Sequence, residues 1–65
     1  MELFDNIEYE NKDFSTRGIE IGGYEECLFV NCNFSQVDLS NFMFINCTFI
    51  GSNLSLAKLI NTVFR

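Results

Sequence analysis

At 65 residues with a net charge of −5, the chain makes one domain at most, and a globule this short buries little of its surface. Nine acids against four bases exclude direct nucleic-acid binding through phosphate neutralisation. With no histidine and three cysteines, the chain has neither a nucleophile–base pair nor a full set of zinc ligands, so a non-enzymatic protein without metal or cofactor is expected.

The acidic start, Met1-Glu2-Leu3-Phe4-Asp5-Asn6, has no signal-peptide core. Polar residues interrupt every apolar run well before the ~18 needed to cross a membrane. A cytoplasmic chain is therefore expected.

A period of five sets in at once. Phe4, Tyr9, Phe14 and Ile19 are followed without a gap by Tyr24, Phe29, Phe34, Leu39, Phe44, Phe49, Leu54, Leu59 and Phe64. Phe, Ile, Leu and Tyr make up 22 of the 65 residues, so filling every slot by chance has a probability on the order of 10⁻⁶, and the series is an internal repeat. A strand alternates every two residues and an amphipathic helix recurs at three and four. A strict five needs a backbone that turns a corner each time.

Residues 1–19 keep this period loosely, because Lys12 and Arg17 stand two places before a large residue, where smaller ones stand later. They are expected to form an irregular segment or cap, with Gly22-Gly23 marking the transition. Regular coils are expected over 20–65. There the second column reads Gly22, Cys27, Cys32, Val37, Cys47, Ser52, Ala57 and Thr62, broken only by Phe42. Residues two apart in an extended segment point the same way. Each pentapeptide thus turns one large and one small side chain inward. The other positions are rich in Asn, Ser, Asp, Glu, Thr and Gly, which is turn chemistry.

Four segments carry a family pattern most clearly: Cys32-Asn33-Phe34-Ser35-Gln36, Val37-Asp38-Leu39-Ser40-Asn41, Cys47-Thr48-Phe49-Ile50-Gly51 and Ser52-Asn53-Leu54-Ser55-Leu56. They resemble the pentapeptide-repeat family. The resemblance implies an all-β fold, a right-handed quadrilateral β-helix with four pentapeptides per coil. Residues 20 apart then stack, and 65 residues give about three coils, roughly 14 Å long. The opening stretch from Asp13-Phe14-Ser15 through Asn31-Cys32-Asn33-Phe34-Ser35 looks most like the start of the quinolone-resistance (Qnr) proteins. That resemblance implies a DNA mimic that binds and protects DNA gyrase or topoisomerase IV.

The stacking columns sort the outward residues. One face is polar throughout, with Asp13, Asn33 and Asn53 beside Ser15, Ser35 and Ser55. The next sets Asp38 beside Lys58, a candidate ion pair. The other two faces carry Leu28, Val30, Met43, Ile45, Ile50 and Val63 outward, and such a patch marks a contact surface. The candidate interaction residues are therefore Met43, Ile45 and Ile50, with Glu20, Glu25 and Glu26 as acids where the regular coils begin. A protein partner, gyrase-like or a second copy in a homodimer, is expected rather than nucleic acid or membrane. The alternative is a structural repeat unit, or a fragment of a longer repeat chain, that self-associates with no dedicated partner. Cys27, Cys32 and Cys47 fall in the small inward slot and are expected to act as small buried hydrophobes.

Overall fold

The corner demanded every five residues is a left-handed one. In a computed structural model describing residues 1–65, φ lies between 53° and 67° at Asn6, Asn11, Glu26, Asn31, Gln36, Asn41, Asn46, Gly51, Leu56 and Asn61. Asparagine fills six of these ten corners because, after glycine, it enters this region at least cost.

Between corners run short strands: β1 (Leu3–Asp5), β2 (Glu8–Glu10), β3 (Gly23–Glu25), β4 (Leu28–Val30), β5 (Met43–Ile45), β6 (Thr48–Ile50) and β7 (Val63–Phe64). They form two parallel sheets, ordered β1-β3-β5-β7 and β2-β4-β6. Leu3 lies opposite Gly23, Gly23 opposite Met43 and Met43 opposite Val63, a constant step of 20. The fold is an all-β solenoid of about three coils with four faces. The two sheets make the first and second faces.

The third and fourth faces are turns. Asn33 and Asn53 each accept the backbone N–H of the serine two residues on, at 2.9 Å, and Asp38 does the same for Ser40 at 2.9 Å. An Asx side chain one place before the inward residue thus bends the backbone away from a strand. Coils still pair there through isolated parallel bridges, Asp13 to Asn33, Asn33 to Asn53 and Asp38 to Lys58. The last of these is a backbone pairing. The Asp38 carboxylate turns onto Ser40, whose hydrogen bonds hold its pKa below the ordinary value, with Lys58 as the smallest cause. The ion pair expected from sequence is not the main partnership.

Residues 1–19 depart from their expected irregularity. β1 and β2 pair in full register with β3 and β4, so the first coil is regular over two faces. The break is confined to the single-turn helix α1 (Phe14–Arg17) and the link after it. Thr16 and Ile21 explain it. They occupy the two corner slots that are not left-handed, and both are β-branched, the class for which positive φ is most costly. Asp13 caps α1 through the Ser15 N–H at 3.0 Å, and Gly18 supplies the positive φ at 75° that ends it. On this detour Lys12 and Arg17 are exposed rather than inward.

Inside, rings stack coil upon coil: Phe4 on Tyr24 at 4.8 Å, Tyr9 on Phe29 at 4.8 Å, Phe29 on Phe49 at 4.9 Å and Phe14 on Phe34 at 4.9 Å between centroids. Each such pair contributes about 0.5–1.5 kcal/mol beyond its burial. Phe42, the break in the small column, is buried against Tyr24 and Phe44. Gly22 is required by close approach: a Cβ there would meet the Glu2 carbonyl oxygen at 2.5 Å.

The small column also ties coils together. Cys27 Sγ donates to the Phe4 carbonyl at 3.5 Å, Cys32 Sγ to Tyr9 at 3.4 Å and Cys47 Sγ to Tyr24 at 3.0 Å. Ser52 Oγ does the same to Phe29 at 3.1 Å and Thr62 Oγ1 to Leu39 at 2.7 Å. The cysteines are free, and they act as weak donors as well as small hydrophobes. Burial pushes the Cys47 thiol up, which disfavours the reactive thiolate. No helix is long and apolar enough to cross a membrane.

Candidate interaction surface

Five of the six candidate residues share the two strand faces. Glu25 ends β3 and Glu26 follows it at the left-handed corner. Met43 and Ile45 bracket the inward Phe44 on β5, and Ile45 is the in-register partner of Glu25. Ile50 ends β6 on the adjoining face. Because successive strand residues alternate sides, burying Phe44 and Phe49 forces Met43, Ile45 and Ile50 outward.

Their exposure is unequal. Ile50 is 52% exposed, whereas Met43, Ile45, Leu28, Val30 and Val63 are half-buried. Outward side chains 20 apart lie at ladder distance and cover one another. The expected apolar patch is therefore a set of mutually packed rows with Ile50 at its open edge.

Glu20 stands apart. It precedes the first sheet on the fourth-face side, and its backbone carbonyl accepts the Tyr24 hydroxyl. Burial, with the nearby Tyr9 hydroxyl and Glu20 as smaller causes, raises the Tyr24 pKa. Glu20 is a structural neighbour of the core through its backbone, and its carboxylate is exposed. Glu26 is tied sideways instead, accepting from Asn46 Nδ2 at 3.2 Å across one coil.

Sequence reasoning missed Asp5, Glu8 and Glu10. All three are exposed on the strand faces, with Asp5 paired in register to Glu25, Glu8 to Leu28 and Glu10 to Val30. The step of 20 applied to residues 1–10 would have found them. The expectation of an irregular first segment hid them.

Five-residue corners, a 20-residue coil and stacked inward rings are the structural signature of one repeat class, and a family model for pentapeptide repeats matches residues 27–65 with eight copies. The chain belongs to the pentapeptide-repeat family. No curated protein and no solved structure matches it. The pentapeptide repeats supply a scaffold, and function must come from what their outward positions carry. In this pentapeptide-repeat chain, two faces are turns, the third polar and the fourth carrying the exposed Ile60, and two are sheets bearing acidic and apolar rows. A sheet face carrying both charge and aliphatic rows is suited to contacting protein.

Proposed function

We infer that the chain is a non-enzymatic β-helix module for protein–protein interaction, working in the cytoplasm, with DNA gyrase or topoisomerase IV as partner and a DNA-mimicking charge pattern as the means. The observation that carries this reading is the row of outward carboxylates on a rigid ladder: Asp5 beside Glu25 in register, with Glu26 at the adjoining corner. Fixed acids of this kind attract a groove built to hold phosphates. Length limits what three coils do alone. The molecule's longest extent is 23 Å, and one duplex turn takes about 34 Å.

Two outcomes are expected from this. Labelled chain binds purified gyrase in a salt-dependent manner, and Glu20→Lys, Glu25→Lys and Glu26→Lys combined weaken it, more at low salt, where screening is least. Relief of quinolone inhibition in a supercoiling assay is absent, because the groove is only partly filled. Gyrase that fails to bind at low salt removes the topoisomerase reading and leaves the general scaffold.

A second reading is self-association into a homodimer as a structural unit. It is favoured by exposed apolar residues at outward and corner positions of the third coil, Ile50, Leu56 and Ile60. Sedimentation at rising concentration tests it: a dimer that Ile45→Lys dissociates supports the outward rows as its seam, and a monomer throughout removes it.

A further inference from the structure

The strand faces change chemistry along the solenoid axis. In the first coil the outward columns hold Leu3, Asp5, Glu8 and Glu10, with Leu3 heading a largely aliphatic column that runs through Gly23 to Met43 and Val63. One step on, Glu8 meets Leu28 and Glu10 meets Val30, and two steps on Val30 meets Ile50 while Leu28 meets the polar Thr48. The Asp5 column keeps its charge for one step, at Glu25, and turns aliphatic at Ile45. Acidic and apolar bands therefore lie side by side across two adjacent sheets. The chain's own cations are mostly elsewhere: Lys12 precedes α1 and Arg17 ends it, Lys58 is on the fourth face, and only Arg65 borders the surface, one coil beyond Ile45.

A groove shaped for duplex DNA is matched by charge alone and leaves the aliphatic band without a counterpart. A ligand matching both bands must offer cations along one edge and aliphatic side chains along the other. We propose that this face docks a basic amphipathic segment of its protein partner, with Lys or Arg meeting Asp5, Glu25 and Glu26 and aliphatic groups covering Val30, Ile45 and Ile50. This rests on the interaction reading above and specifies the partner's contacting element. The molecule measures only 23 × 22 × 19 Å, so the part of its two sheet faces that these six residues cover falls short of the ~800 Å² per partner of a standard stable interface. A contact this small belongs with transient interfaces.

The test uses three labelled helix-forming peptides of about 18 residues, followed by fluorescence anisotropy with the whole chain. One carries Lys and Leu on opposite sides, one the same Lys with Ser for Leu, and one Glu with Leu. The Lys/Leu peptide is expected to bind saturably, at least about tenfold more tightly than either of the others. Glu25→Lys with Glu26→Lys weakens it about tenfold, and Ile50→Ser, at an open position that leaves the core intact, weakens it about threefold. Ser55→Lys, on the third face, changes it less than about twofold. A Lys/Ser peptide bound as tightly as Lys/Leu overturns the proposal, as does an equal effect of Ser55→Lys or an absence of saturable binding. If gyrase still binds in that case, only the amphipathic element falls. If neither binds, the topoisomerase reading falls with it.

Discussion

Phe34→Glu is expected to unfold the chain. Phe34 is fully buried, stacked on Phe14 at 4.9 Å and edge-on to Phe29 at 5.4 Å and Phe49 at 5.9 Å. Truncating a buried Phe costs about 3–5 kcal/mol through lost burial and the cavity left behind. A carboxylate in its place adds the cost of an unpaired buried charge. A single small core rarely supplies more than ~3–5 kcal/mol in total, so the deficit exceeds what the fold can lose. Ser55→Glu, exposed on the same face one coil on, is expected to stay within about 0.5 kcal/mol. Thermal unfolding followed by circular dichroism distinguishes the two. Similar effects at both positions would contradict the five-residue register.

The corners give the second large effect, with opposite signs at two exposed sites. Asn31 sits at φ 53° and Leu56 at φ 58°, and both face solvent, so burial changes little at either. Asn31→Val places a β-branched residue in a conformation it tolerates worst and is expected to cost at least about 2 kcal/mol. Leu56→Asn puts the preferred residue where an unsuited one now stands and is expected to gain up to about 1 kcal/mol. Leu56, 79% exposed, sacrifices no core contact in the exchange. Urea midpoints of both variants provide the readout. A neutral Asn31→Val would mean that the corner is not left-handed.

Much of this was open to the sequence because the repeat converts position directly into direction. Phe4, Tyr24, Phe44 and Phe64 share a column at a constant step of 20, and their outward neighbours follow from strand alternation. Glu25 and Ile45 could be placed side by side on that basis alone. The regularity of the first coil is masked in the sequence by Lys12 and Arg17 in the inward slot. The informative residues were Thr16 and Ile21 in the corner slot, whose β-branching forces the detour through α1 while leaving β1 and β2 intact. Glu20 was grouped with Glu25 and Glu26 by nearness in sequence, and an intervening corner separates it from them in space. Exposure was the least legible property. Periodicity says which way Met43 and Ile45 point, and only the stacked rows show that their neighbours half-cover them while Ile50 stands open.

The reading of this protein as an interaction module acting through its two sheets is tested most directly by following backbone amide NMR shifts of the isotope-labelled chain as a purified gyrase fragment is added. The expected result is perturbation concentrated at Glu25, Glu26, Ile45 and Ile50, with the turn-face residues Asn33, Asp38 and Ser55 unmoved. Perturbation centred on the turn faces, or none at low salt, would contradict it.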